Sequence, residues 1–383
     1  MEKKIVFISS IQLFPPLSGG QLRSANLCQS MVEMGHEVEI YSFTGRKNDY
    51  LAFKRSEKYQ ISANLEEYIN RNLLWGAIQF LFYKLKLPPF WITLLTYFYC
   101  PKQLKNKLEK TDLIIIDFPF LYPIFYKQSA QKIINTHNAE FELYSSSIYT
   151  NIVKKIELSS FKYADKILFC SNKDLNIFNK ISKSIDNKSI IVPNGINLTK
   201  YFSNKAEQIG LRKKLGIDED KIVFLFSGSA FEPNLVAFKE LELFIQNHKE
   251  ILINNNILIL VVGSVTNKKQ NEEYFKVCGP VEEIIEYFKL SDFGLNNISS
   301  GSGTNVKMFE YIASNLPILS TSFGARGLDL NPDEDYFLIN LNLKDAIIKA
   351  TQTTKEERVK MARYAFLKNE QKLNMKNYLK DLF

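Results

Sequence analysis

The cysteines of this 383-residue chain have no partners in sequence: Cys28, Cys100, Cys170 and Cys278 are widely separated and form no CxxC pair. That excludes a structural zinc ribbon and a disulfide framework, and it leaves the four as buried small hydrophobes. No leader is expected either, since "MEKKIVFISSIQLFPP" reads as a short buried strand and not as a charged head, a long apolar core and a cleavage site. The chain is expected to stay in the cytoplasm. No apolar run reaches the ~20 residues needed to span a bilayer. The longest uncharged stretch lies within residues 71–107 and is broken by Lys84, Lys86 and then Pro88–Pro89. No solenoid repeat or low-complexity tract interrupts the chain. No Asp-x-Asp pair occupies a strand-end loop, so no metal and no cofactor are expected. Histidine is scarce, with only His36, His137 and His248 to weigh as ligands.

Charge of one sign is in excess, but in one half only. The net charge is +8; residues 1–200 hold 26 Lys and Arg against 17 Asp and Glu, and residues 201–383 hold 23 against 24. Those basic residues are scattered, without the stacked aromatics or recognition helix that reading bases requires, which argues against nucleic acid. An anionic membrane surface or a phosphorylated acceptor fits better. Both tryptophans, Trp75 and Trp91, fall within residues 71–107 together with Phe80, Phe82, Tyr83, Phe90, Tyr97, Phe98 and Tyr99. Such a segment either lies in a membrane interface or packs as helices inside the first domain.

What is present is a rhythm. "KKIVFISS", "EVEIYSF", "DLIIIDF", "QKIINTH", "DKILFCS" and "SIIVPNG" are short apolar runs separated by helix-length stretches, the pattern of a parallel sheet covered on both faces. Leu22, Ala25, Cys28 and Val32 recur at helical spacing, and Gly35 stands where a helix end wants a left-handed residue. Around residues 199–220 the pattern lapses into a charged stretch. A second series then begins with "KIVFLFSGS", "NILILVVGS", "FKVCGPV", "SDFGLNNIS" and "LPILSTS". The chain therefore reads as α/β, with two doubly wound, Rossmann-like domains over residues 1–200 and 201–363. A strongly helical tail closes it.

The stretch "SSGSGTNVKMFEYIASNLPILST", residues 299–321, places glycines, hydroxyls and a lysine before an apolar helix. A loop at the carboxyl end of a parallel strand and the N-terminus of the next helix is where open sheets bind ligands. Free N–H groups favour an anion there, and glycines let its oxygens approach. Lys307 suits a phosphate; Glu310, three residues on and on the same helix face, suits a diol such as ribose. A nucleoside diphosphate would satisfy both, and a glycine-rich turn with a solvated Lys–Glu pair is the alternative.

With two doubly wound domains and these loops, the chain resembles the GT-B glycosyltransferases, specifically the retaining group 1 enzymes of bacterial cell-surface polysaccharide synthesis. The likeness runs through "SGGQLRSANLCQSMVEMGHEV", "THNAE", "IIVPNGIN", "SGSAFEPN" and "GSGTNVKMFEYIASNLPILSTSFGARGL", in the family's order. It implies two domains facing across a cleft, a nucleotide-sugar on the second, a glycan or lipid-linked acceptor on the first, and transfer without a metal. It implies a last helix, about 364–383, that returns to the first domain. Residue by residue, it matches Glu310 to a ribose ligand and Gly301, Ser302, Gly303 and Thr304 to the loop near the phosphates and sugar. Gly19 and Gly20 match the loop approaching the donor diphosphate, with Arg23 following, and His137 matches the histidine that faces the transferred sugar. Lys307 and Arg326 are then the sources of positive charge near the diphosphate.

Two positions depart from the family. Ser302 stands where many relatives have a second glutamate, and Glu232 where they tend to have a basic residue. A nucleotide-sugar epimerase of the same form would leave the aromatic, basic segment without a purpose. A dinucleotide oxidoreductase would need a glycine fingerprint that "SSIQLFPPLSGGQ" does not supply. A non-catalytic, membrane-associated glycan-assembly protein would keep the fold and lose ligand residues, as at Ser302 and Glu232.

Overall fold

In the computed structural model, which describes residues 2–126, 128–144, 147–196, 198–301, 305–340 and 342–383, the apolar runs form two sheets. Contacts group the chain up to Pro16, Gly20–Pro193 and Tyr378–Phe383 into one unit, and Leu17–Gly19 and Asn194–Asn377 into another. The division expected after residue 200 thus falls between Pro193 and Asn194.

The first unit is built on β1 (Lys4–Ser9), β2 (Glu37–Ser42), β3 (Glu57–Ser62), β4 (Leu65–Ile69), β5 (Leu113–Asp117), β6 (Gln131–Asn135), β7 (Lys166–Phe169) and β8 (Ser189–Ile191). Their order is β3-β4-β2-β1-β5-β6-β7-β8, parallel throughout except for the antiparallel pair β3–β4. β5 is buried along its whole length, as a strand covered on both faces must be. Helix α1 (Gly19–Glu33) ends before Gly35, whose φ of +89° is the left-handed conformation expected there. The pair β3–β4 has no counterpart in the apolar series, because β3 is almost wholly exposed and β4 carries Glu66 and Glu67.

The aromatic segment forms α2 (Leu73–Lys84) and α3 (Phe90–Phe98). Trp75, Trp91 and Ile92 enter the core, whereas Leu73, Leu74, Phe80, Leu81, Leu94 and Phe98 are exposed. The segment is therefore part core and part apolar surface. Among the described residues no helix is long and apolar enough to cross a membrane. A further helix, α4 (Ser147–Tyr163), precedes β7.

The second unit contains β9 (Ile222–Ser227), β10 (Ile257–Val262), β11 (Gln270–Asn271), β12 (Phe275–Gly279), β13 (Phe293–Asn296), β14 (Ile318–Ser320) and β15 (Phe337–Leu338), in the order β11-β12-β10-β9-β13-β14-β15. Helices α5 (Glu232–Asn254), α6 (Val306–Ala313) and α7 (Lys355–Leu373) cover it. The alternation of β9 divides the core. Phe224 and Phe226 pack with Ala237, Phe238 and Leu241 of α5, while Val223 and Leu225 pack with Met308, Phe309 and Ile312 of α6. The closing helix differs from expectation. Ala362, Ala365, Phe366, Asn369 and Leu373 of α7 are buried, with Phe366 and Leu373 in the second unit's core. The helix stops there, where the Leu373 carbonyl accepts from Ile196 N–H. Only Tyr378–Phe383 join the first unit, where Phe383 packs on the His36 ring with centroids 4.1 Å apart.

Candidate functional site

In each sheet the strand order reverses beside the first strand, and ligands of open parallel sheets bind outside the carboxyl ends of the strands at such a point. In the second unit β9 lies between β10 and β13, so the loops after β9 and β13 flank the reversal. The second of these leads into α6. Gly301 is exposed with φ +123°; a Cβ there would come within 3.0 Å of Pro233 and 3.8 Å of Arg326 Nη2. The loop thus lies against the first turn of α5 and beside a guanidinium. Ser302, Gly303 and Thr304 lie outside the described residues.

Lys307 and Glu310 are both buried, so neither is a solvated surface residue. Lys307 Nζ donates to Asn234 Oδ1 at 3.0 Å and sits 4.3 Å from the centre of the Phe226 ring. Glu310 Oε1 accepts from the Tyr201 hydroxyl at 3.0 Å. Burial lowers the Lys307 ammonium to about 7, against the opposing pull of Glu310. Burial likewise raises the Glu310 carboxyl to about 7, against the Tyr201 hydrogen bond and Lys307. An ammonium that uses one of its three donors on a neutral amide, in a dry setting, is suited to gain an anion. Arg326 donates to the Phe323 carbonyl at 2.7 Å, and its guanidinium centre lies 3.9 Å from the Phe323 ring centre. Glu232 is exposed at the start of α5.

In the first unit the reversal lies between β1 and β5. Asp117 ends β5, Asn135 ends β6, and His137 follows two residues later. Asp117 Oδ1 accepts from His137 Nε2 at 2.7 Å, Ser24 Oγ at 2.8 Å and Asn135 Nδ2 at 2.8 Å. The carboxylate therefore takes the proton-bearing Nε2 of the imidazole, and Nδ1 is left on the side of Gly20. A Cβ at Gly20 would lie 3.3 Å from that Nδ1, so the glycine gives the ring its room. Phe118 stacks on the imidazole, centroids 4.3 Å apart at 17°. Gly19, half-buried, opens α1. Arg23 is only 2% exposed, and its guanidinium donates to the Val192 carbonyl at 2.6 Å and to Asn135 Oδ1 at 3.1 Å. Arg23 thus braces α1 against the end of β6 and the residue after β8.

The structure thus brings Gly20 and His137 together in one unit, and Gly301, Lys307 and Glu310 onto one loop and helix in the other. Sequence reasoning missed Asp117, Ser24 and Asn135, and also Asn234, Phe226 and Tyr201. A carboxylate closing the apolar run "DLIIID" was the one available signal. Tyr201 is 109 residues from Glu310 and gave none.

Residues 17–200 match the family model for glycosyltransferase family 4, and residues 221–354 that for glycosyl transferases group 1. An uncharacterized glycosyltransferase of Methanocaldococcus jannaschii is 24% identical over 220 residues, 56% of this chain and 53% of that protein. The match spans about half the length of that relative. Among solved structures, HepE of Anabaena in complex with UDP and glucose is similar with a TM-score of 0.65 and 13% identity, over 100% of this chain and 98% of that one. Sucrose-phosphate synthase of Thermosynechococcus elongatus gives a TM-score of 0.66 at 13% identity, over 100% and 98%. A glycosyltransferase of Rickettsia africae gives 0.64 at 14%, over 100% and 97%. At these identities the likeness is one of fold.

Proposed function

Since the chain belongs to the glycosyltransferases, with a family 4 match in its first half and a group 1 match in its second, we propose that it moves a sugar from a nucleoside-diphosphate sugar to a cell-surface glycan or lipid-linked acceptor, with retention of configuration. The observation that carries this reading is the buried turn Lys307–Glu310 of α6, set at the reversal of strand order. Glycosyl transfer breaks the bond from the anomeric carbon to the diphosphate, and the electron pair leaves with the phosphate oxygen. Charge on that leaving group is what the site has to stabilise. Lys307 is assigned to it, since an adjacent diphosphate would restore the ammonium that burial now disfavours. Losing one such donor costs ~3 kcal/mol in the barrier. Glu310 is assigned to the ribose hydroxyls, with the Tyr201 hydroxyl fixing one of its oxygens. Gly301 and residues 302–304 are assigned to the phosphates and sugar, Gly19 and Gly20 to backbone approach, and His137 to the transferred sugar. No metal is required in this scheme, because the countercharge comes from Lys307.

The acceptor side is read from the surface of the first unit. Leu73, Leu74, Phe80 and Leu81 of α2 and Leu94, Tyr97 and Phe98 of α3 are exposed, Lys84 and Lys86 adjoin them, and Lys47 Nζ lies 5.1 Å from the Phe80 ring centre. Apolar side chains bordered by lysines suit an anionic bilayer interface, where each cation contributes ~1 kcal/mol. Sedimentation with phosphatidylserine-containing vesicles should exceed that with phosphatidylcholine alone and weaken with salt; equal binding to both would remove the membrane from the scheme.

The function itself is tested with a panel of UDP- and GDP-sugars, UDP first because HepE holds it. Thermal stabilisation by one nucleotide, and its release from the sugar in proportion to added acceptor, is the expected result. Absence of stabilisation by any member, or a product isomeric with the donor and no released nucleotide, would overturn the reading.

A further inference from the structure

Two loops at the carboxyl ends of the first unit's strands are each held by one buried glutamate, and the scheme above uses neither. Glu67 of β4 is 0% exposed. Its Oε1 accepts from Leu13 N–H at 2.7 Å and its Oε2 from Phe14 N–H at 2.9 Å, with Ser42 Oγ also donating to Oε1 at 2.5 Å. Glu157 of α4, also 0% exposed, repeats the geometry. Its Oε1 accepts from Glu140 N–H at 2.8 Å and its Oε2 from Phe141 N–H at 3.0 Å. Each carboxyl therefore takes two consecutive backbone N–H groups, one on each oxygen.

The turn held by Glu157 begins three residues after His137. The residue before His137 is fixed as well, since Thr136 N–H and Oγ1 both donate to the Leu168 carbonyl, at 2.9 and 3.0 Å. Only Asn138 and Ala139 separate the histidine from the clamp. Burying a carboxyl is expensive, and a turn with no need of accuracy could leave its N–H groups to water. Burial and the nearby Glu140 carboxyl push Glu157 up to about 9, against the two backbone N–H donors, which favour the carboxylate.

We propose that Glu157 is a positioning residue for the transfer reaction, acting through His137 by pinning the Glu140–Phe141 turn from α4. The proposal rests on the assignment of His137 to the transferred sugar. Glu67 supports it as a second instance of the same device, on the loop that leads toward Gly19 and Gly20.

The test is a double-mutant cycle in the full chain, with nucleotide release measured from the member of the sugar panel that is turned over, UDP-glucose being tried first. Glu157→Gln places an amide donor against one of the two N–H groups and should lower kcat by about tenfold to hundredfold, the usual effect of a small misplacement. The donor KM should stay within about twofold, since uniform binding is untouched. In the His137→Ala background the same change should have no further effect on kcat. Multiplicative effects, or Glu157→Gln with the parent kcat, would overturn the proposal while leaving the His137 assignment standing. A His137→Ala variant with the parent kcat would sink that assignment and this proposal with it. If Glu157→Gln melts below the assay temperature, Glu157→Asp, which retracts the carboxylate by one methylene, carries the same cycle.

Discussion

Lys307 is expected to cost the folded chain stability while it carries its charge, and Lys307→Met tests by how much. Burial lowers its pKa from 10.5 to about 7. At about 1.4 kcal/mol for each tenfold change in proton affinity, this corresponds to about 5 kcal/mol. Because the folded value lies below the unfolded one, the penalty is complete below pH 7, declines as pH rises toward 10.5, and is absent above that. Methionine keeps the stem on the Phe226 ring but leaves Asn234 Oδ1 without its donor, which offsets about 1–3 kcal/mol. At pH 6.5 Glu310, raised to about 7, is largely protonated, so losing its positive neighbour matters little there. A net gain of about 2–4 kcal/mol is expected at pH 6.5. At pH 9.5 the lysine of the folded parent is already mostly neutral, so only about 1.4 kcal/mol of penalty is left to relieve against the lost Asn234 hydrogen bond, and the gain shrinks or reverses. Urea titrations followed by far-ultraviolet circular dichroism at the two pH values make the comparison. The same variant should lose about hundredfold in kcat, as for a lost oxyanion donor. A variant less stable than its parent at pH 6.5, or a gain that grows with pH, would refute the picture of a strained, ligand-awaiting cation.

Glu310→Ala should chiefly raise the donor KM with kcat little changed, because ribose contacts are the same in ground and transition states; a fall in kcat at constant KM would reverse the assignment. Calorimetry of UDP at pH 7.5 in buffers of different ionisation enthalpy should show uptake of up to about one proton, as the diphosphate raises Lys307 from about 7. Buffer-independent heats would place the diphosphate away from Lys307. EDTA should leave the transfer rate unchanged, and activity lost to the chelator and restored by magnesium or manganese would show that a divalent ion shares the leaving-group charge.

Most of the parallel strands were legible because each is a short apolar run, and burial on both faces leaves little else for it to be; β15, which pairs parallel with β14, had no counterpart in that series. The β3–β4 pair was not, since its pattern of Glu57, Lys58, Glu66 and Glu67 reads as loop until one sees that Glu67 faces inward to hold Leu13 and Phe14. Lys307 and Glu310 could be singled out from three-residue spacing on one helix. Their partners Asn234, Phe226 and Tyr201 come from other elements and carry no local pattern. Arg23 illustrates the same limit from the other side. The family resemblance placed it with the donor loop, and nothing in the sequence says that its guanidinium is buried and donates to the Val192 carbonyl and Asn135 Oδ1.

The placement of the two tryptophans gives the molecule a built-in spectroscopic label. Trp75 and Trp91 are buried in α2 and α3 of the first unit, and with two in the whole sequence residues 194–377 have none. Indole emission excited at the red edge of its band therefore follows the melting of the first unit alone, while circular dichroism follows both. Two units with separate cores need not unfold in one step. Overlaying the two signals would show whether they do, and a substitution such as Lys307→Met should displace the dichroism curve while leaving the emission curve in place if the units melt independently.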